Sequence, residues 1–428
     1  MNYLVQFSVE NFLSFNGKQT FALFNSADES LNKYLLKIPN EKFTLSPVAA
    51  IYGNNSSGKT NLLKAIGFLK FLLNTSSNKK INEKIPFLPF KLSQDKPTTF
   101  EVIFISEGIR YGYLVSFNQE KIIKEALYTY PNGKIKKIFE RILDDNKNYI
   151  YSYSRDYQSN FKDIEIKSLQ NKLFLSTLSE WSTNEDIKNS IGFFLDKIVM
   201  NIDYENPNWQ HFTADQLENN LQLKKLFLKL LKEINPGIKD ISSKVIRKKM
   251  SMEELPSEIP LELRMFMTNE ETISTDIKIE YNKKGLILDL SEESRGIKKL
   301  FEIGGPLLSI LLNGQVLIFD ELETSLHPLL AKKIIELFLD PVYNKKGAQL
   351  IFTTHDTNLL DLDFIRRDQI WITEKGIETD YATYLTCLSN IKGIRKDENI
   401  RKGFLQGKYT KIPFLTGKFL NKDFYGDE

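Results

Sequence analysis

The feature that most constrains this chain is an eight-residue run, Gly53-Asn54-Asn55-Ser56-Ser57-Gly58-Lys59-Thr60. It fits the spacing G-x-x-x-x-G-K-[ST], and its flanks fit too. Before it, Val48 to Tyr52 form a short apolar run with the length of a buried strand. After it, Leu62, Leu63, Ile66, Leu69 and Leu72 recur at helical spacing. A strand that feeds a glycine-bounded loop opening a helix aims successive backbone N–H groups at one spot, and the helix dipole adds to their field. Such a loop cradles phosphates. In it Lys59 is expected to neutralise the β- and γ-phosphates of a nucleotide, and Thr60 to ligate Mg2+. The expected nucleotide-binding residues are therefore Gly53, Asn54, Asn55, Ser56, Ser57, Gly58, Lys59, Thr60 and the following Asn61.

Three further patterns fit the same chemistry. Val316-Leu317-Ile318-Phe319-Asp320-Glu321 is an apolar strand ending in two acids. Ligands of open α/β sheets gather at such C-terminal strand edges. Asp320 is expected to hold Mg2+, and Glu321 to polarise an attacking water. Ile351-Phe352-Thr353-Thr354-His355-Asp356 ends a second buried strand in a histidine, one of 3 in the chain. From there His355 can hydrogen-bond a terminal phosphate or the lytic water. In Leu290-Ser291-Glu292-Glu293-Ser294-Arg295-Gly296, a serine and a glycine precede a helix expected from about 296 to 312. Its N-terminus is an anion site. The P-loop already fills one side of the phosphates, so Ser294 and Gly296 are most useful in trans, against nucleotide held by another subunit.

The rest of the chain narrows the class. There are 58 basic and 55 acidic residues, a net charge of +3. That balance does not demand nucleic acid as a partner. The basic clusters Arg247-Lys248-Lys249 and Arg395 to Lys411 read as solvated faces. The single cysteine, Cys387, excludes an intrachain disulfide and a Cys-x-x-Cys zinc site, and fits a reducing cytoplasm. The N-terminus lacks a signal-peptide pattern, and no apolar run approaches the ~20 residues needed to span a bilayer.

Strand signals cluster early, in the alternation of Leu4 to Glu10, in Phe21 to Phe24, around Glu107-Gly108 and around Pro131-Asn132-Gly133. The middle turns helical. Leu223, Leu226, Phe227, Leu230, Leu231 and Ile234 mark an amphipathic helix, which either packs on its own domain or forms an arm that meets a partner. Ile277 to Tyr281 and Leu286 to Leu290 read as two strands about a turn. The expected fold is α/β, a P-loop NTPase of ABC-ATPase type whose head carries a β-rich lobe and an inserted helical or mixed arm. The expected divisions are 1–143 for the first half of the head, 144–275 for the arm and 276–428 for the second half.

The order of these motifs, with Leu326-His327-Pro328, resembles ABC-type ATPases of the SMC, Rad50 and OLD group. Within it the chain is most similar to the AAA15 family. Asn11-Phe12-Leu13-Ser14-Phe15, Arg366-Arg367-Asp368-Gln369-Ile370-Trp371 and Phe404-Leu405-Gln406-Gly407-Lys408-Tyr409 carry that resemblance. It implies a head-to-head homodimer with two ATP molecules at the joint. Ser294 and Gly296 would be signature residues, Glu323 to Leu326 the loop crossing the joint, and His355 the switch histidine. It also implies a role in bacterial defence against phage beside a separately encoded effector such as a TOPRIM or HNH nuclease, as in abortive-infection, PARIS and Septu systems.

The chain departs from the pattern in three places. Its signature is not Leu-Ser-Gly-Gly-Gln, its Q-loop is marked only by the position of Gln94, and its insertion is too short for a long coiled coil. Two alternatives stay open. One is an SMC- or Rad50-like ATPase that grips DNA, and the other a non-catalytic module that ATP merely glues together.

Overall fold

A computed structural model describes residues 1–26, 30–201, 207–249, 271–324, 326, 328–376, 380–394 and 398–409. His327 and Ser325, which fall in two of the expected motifs, lie outside these residues, as do 395–397 and 410–411 of the second basic stretch.

Continuous apolar runs form a six-stranded sheet in the order Ile198–Asn201, Val316–Phe319, Gln349–Thr353, Val48–Gly53, Ile370–Lys375, Thr383–Cys387. The first five are parallel, and Thr383–Cys387 closes the edge antiparallel to Ile370–Lys375. Every residue of Val48–Gly53, Val316–Phe319 and Gln349–Thr353 is buried. Parallel strands covered on both faces have no need of polar alternation. Ala49 and Ile51 face one core cluster, whereas Val48, Ala50 and Tyr52 face the other. Cys387, on the edge strand beside Trp371, is buried, and burial pushes its thiol pKa up.

The early strands form a seven-stranded antiparallel lobe. Its order is Tyr149–Tyr153, Lys136–Leu143, Ile122–Thr129, Ile109–Phe117, Thr98–Ser106, Tyr3–Glu10, Gln19–Ala22. The alternation of Tyr3–Glu10 suggests one wet face, yet Leu4, Val5, Phe7, Ser8 and Val9 are all buried. The strand is interior, and its polar groups find partners. Ser8 Oγ lies 3.0 Å from Thr20 Oγ1, and Gln349 of the parallel sheet accepts from Leu4 N at 2.7 Å and donates to Leu4 O at 3.1 Å.

Two strands from the span expected as an arm belong to these head sheets. Tyr149–Tyr153 pairs with Lys136–Leu143, and Ile198–Asn201 pairs with Val316–Phe319. Beyond the second lie helices Pro207–Asn219 and Leu221–Ile234, then an antiparallel sheet of Ile238–Lys249, Glu271–Tyr281 and Ile287–Asp289. Arg247-Lys248-Lys249 ends the first strand of that sheet. Helix Leu221–Ile234 is capped by Asn220 and packs on its own fold. It buries Leu223, Phe227, Leu230 and Leu231, with the Phe227 and Phe301 rings 5.8 Å apart edge to face. Among the described residues no helix is long and apolar enough to cross a membrane.

One buried ion pair locks the lobe to its helices. Arg141 Nη2 lies 3.3 Å from Glu125 Oε2, both side chains fully buried. Glu125 also accepts from Tyr113 Oη and from the N–H groups of Phe174 and Leu175, and Arg141 donates to Ser168 Oγ and Lys172 O. Removing one partner strands the other charge without water. Arg141→Met should therefore cost about 3–5 kcal/mol of stability, read as a lower denaturation midpoint in urea. An unchanged midpoint would count against the pair as a lock.

Candidate functional site

The parallel register brings the expected site together. Val48–Gly53, Gln349–Thr353 and Val316–Phe319 are neighbours, so the P-loop, His355 and the Asp320-Glu321 pair leave the sheet at one edge. The loop between strand and helix is tightly built. Gly58 has φ 106°, where a side chain would be strained and would run into Thr383 and Ser14. Ser57 Oγ lies 2.6 Å from Thr373 Oγ1, and Thr383 Oγ1 donates to Ser57 O at 2.9 Å. The last two strands of the sheet thus brace the loop from behind.

Lys59 is buried at the first turn of the helix Lys59–Thr75, and its Nζ donates to Gly53 O at 2.9 Å and Asn54 O at 3.2 Å. Burial lowers its pKa, against the pull of Glu321, Asp320 and Glu323. Thr60 Oγ1 donates to Asp320 Oδ1 at 3.2 Å. A hydroxyl and a carboxylate are the hard oxygen donors that Mg2+ takes from protein when phosphates and water complete its shell. An ammonium among backbone amides likewise suits a polyphosphate. The residues therefore fit a nucleoside triphosphate with Mg2+.

Glu321 follows in the left-handed region, φ 50°, and Thr324 Oγ1 donates to its Oε2 at 3.2 Å. Glu323 Oε1 accepts from His355 N at 2.5 Å, while its Oε2 is buried with no hydrogen-bond partner among the described residues. The His355 side chain stands at the rim. Partial burial and then the Lys59 charge lower its pKa below 6.5, against Glu323, Glu321 and Asp320. It is therefore neutral at neutral pH and can both donate and accept.

The remaining expected residues lie elsewhere. Asn61 donates to Ser14 Oγ at 2.8 Å, which ties the Asn11 to Phe15 motif to the P-loop helix. Ser294 caps the helix Arg295–Asn313, its Oγ accepting from Ile297 N at 3.4 Å, and is exposed. Space is open around Gly296. The neighbouring Ser291 and Arg295 line a cavity of about 720 Å3 with Thr324, apart from the cavity beside Asn54 to Ser57. Gln94 donates to Lys91 O at 3.0 Å, on a third cavity. Sequence reasoning gave no role at the site to Ser14, Thr353, Thr373 or Thr383, and placed Glu323 only in the loop expected to cross the joint. Only the doubled threonine before His355 carried a local signal.

Residues 48–361 match the family model described as "AAA domain, putative AbiEii toxin, Type IV TA system". The chain belongs to this family. The matched span of the AAA domain runs from the P-loop strand through Asp320, Glu321 and His355. No curated protein matches the chain. Among solved structures, the SMC head domain from Thermotoga maritima is 14% identical at a TM-score of 0.41, covering 90% of this chain and 98% of that chain. The SmcHead bound to the C-winged helix domain of ScpA is 13% identical at a TM-score of 0.43, covering 90% of this chain and 97% of that chain.

The electrostatics give a direct test. The folded state binds the His355 proton more weakly than the unfolded chain does. Stability that this group contributes is thus present above about pH 6.5 and is lost as pH falls through the depressed folded value. In a proton NMR titration His355 should show a midpoint below 6.5, and Lys59→Met should raise it. A midpoint that ignores the substitution would remove Lys59 as a cause.

Proposed function

We propose that this AAA-domain protein hydrolyses ATP, that two copies close head to head around two ATP molecules, and that the closed dimer controls a separate effector in bacterial defence against phage. One observation carries the enzymatic part. Asp320 Oδ1 accepts from Thr60 of the P-loop helix and from Thr353 of the histidine strand, with Glu321 beside it and Lys59 nearby. These are the parts of a nucleotide hydrolase held by three separate stretches of chain.

In this reading Lys59 exchanges two backbone carbonyls for phosphate oxygens. Thr60 and Asp320 would hold Mg2+, which when bound offsets charge on the β- and γ-phosphate oxygens. The Gly53 to Thr60 amides fix the phosphates in position. Glu321 takes a proton from the attacking water, and the neutral His355 steadies that water or the terminal phosphate by a hydrogen bond.

The dimer rests on the exposure of Ser294. A helix N-terminus facing outward, with Arg295 exposed and room beside Gly296, suits an anionic ligand presented by a second copy. The defence role rests on the family description, which names a putative toxin of a toxin–antitoxin system, and on the motif resemblance. A nuclease of TOPRIM or HNH type is the proposed effector.

Two measurements test this reading. Glu321→Gln should keep ATP affinity, abolish most phosphate release and accumulate dimer on sizing with ATP; unchanged turnover would exclude Glu321 as the base. Lys59→Ala and Ser294→Arg should each be inactive alone. Mixed together they form one intact joint per heterodimer, so activity should reappear, whereas a mixture as dead as its parts would refute action in trans.

A further inference from the structure

The acid pair and the switch histidine arrive on different strands, and one buried hydroxyl connects them. In the parallel ladder Phe319 pairs with Phe352. The next residues along, Asp320 and Thr353, therefore stand side by side as the two strands end. Thr353 is fully buried. Its Oγ1 donates to Asp320 Oδ1 at 2.5 Å and accepts from Glu321 N at 2.7 Å. Its carbonyl accepts from Leu322 N at 3.1 Å. A threonine hydroxyl has one proton to give, and here it goes to Asp320, while a lone pair holds Glu321.

That second contact matters because of the backbone at Glu321. Its φ of 50° is a conformation that residues other than glycine, asparagine and aspartate seldom adopt, and it persists only where the surroundings over-determine it. Two of the restraints on the turn, at Glu321 N and Leu322 N, come from Thr353. A wholly buried parallel strand ordinarily carries an apolar β-branched residue at such a position. Valine would fill the same space but would leave the Glu321 N–H without its acceptor and Asp320 Oδ1 short of one donor.

We propose that Thr353 is the positioning residue of the acid pair. Its hydroxyl orients the Asp320 carboxylate toward the Mg2+ position and holds Glu321 in the left-handed turn that aims it at the water. The inference rests on the roles given above to Asp320 and Glu321. It extends them because His355 lies two residues beyond Thr353, with its N–H on Glu323. Movement of the histidine strand end is thereby transmitted to both acids together, so that they are set or released as a unit.

The test uses the full chain and compares wild type with Thr353→Val and Thr353→Ser. Three quantities are read: melting temperature, affinity for a fluorescent ATP analogue with and without Mg2+, and steady-state phosphate release. Thr353→Val should keep Mg2+-free affinity within about twofold, lose most of the gain that Mg2+ confers, and lower kcat on the order of a hundredfold, with KM for the Mg2+-nucleotide rising as that gain is lost. Thr353→Ser, which keeps the hydroxyl, should recover both the Mg2+ gain and kcat. Should the valine variant not fold, Thr353→Cys takes its place, since a thiol is a weak donor and acceptor and should show the same losses.

A folded valine or cysteine variant with normal Mg2+ gain and kcat would overturn the proposal. So would a serine variant no better than valine, which would assign the effect to packing of the methyl group. If wild type itself releases no phosphate, the hydrolytic reading fails, while the Mg2+-dependence of binding still decides the role of Thr353.

Discussion

The parallel pairing of Val48–Gly53 with Gln349–Thr353 is the interaction on which the rest depends. It joins opposite ends of the chain, and neither strand can be buried until the other arrives. Contacts this distant in sequence are reached only after a large loss of chain entropy. The antiparallel lobe, five of whose seven strands lie in the intervening chain, offsets part of that loss, and its side chains fill one face of the same sheet. The helices after Asn201 fill the other face. Once the two central strands are in register, the relative heights of the P-loop, the acid pair and the histidine are fixed by the pleat.

Around that sheet, buried polar side chains act as braces. Gln349 bonds both backbone groups of Leu4. Asn11 accepts from Phe90 N and donates to the carbonyls of Ser93 and Lys96. Arg366 and Asp368 form a buried pair that also holds Ser26 and Asn32. Phe404 stacks edge to face on Tyr52, just before the P-loop. The motifs near the two ends that carry the family resemblance therefore serve largely to clamp the termini onto the strands that bear the site. A residue that makes three or four buried hydrogen bonds is as costly to change as one that touches a ligand.

This division explains what could be read in the sequence. The P-loop, the strand ending at Asp320-Glu321 and the strand ending at Thr354-His355 are local patterns, since strand, loop and helix follow each other within a few residues. Their meeting at one edge follows from general rules for parallel sheets. Ile198–Asn201 was not legible as a core strand, because four residues of Ile-Val-Met-Asn between helical stretches become a strand only through their neighbour Val316–Phe319. Nor was the orientation of Asn61. Its position just past the P-loop suggests a ligand contact, and its bond to the distant Ser14 has no local signal in the sequence. Thr353 and Thr383 likewise gain their partners from chain hundreds of residues earlier or from the adjoining strand.

The position of Cys387 has a practical corollary. Its sulfur is buried at the end of the edge strand that also supplies Thr383, the residue backing the P-loop at Ser57. A buried thiol reacts with a reagent only through local opening of the structure around it. The speed of alkylation is thus a clock for local opening right behind the phosphate loop, native to the chain and requiring no engineered label. Because Cys387 is the sole cysteine, the signal comes from one place.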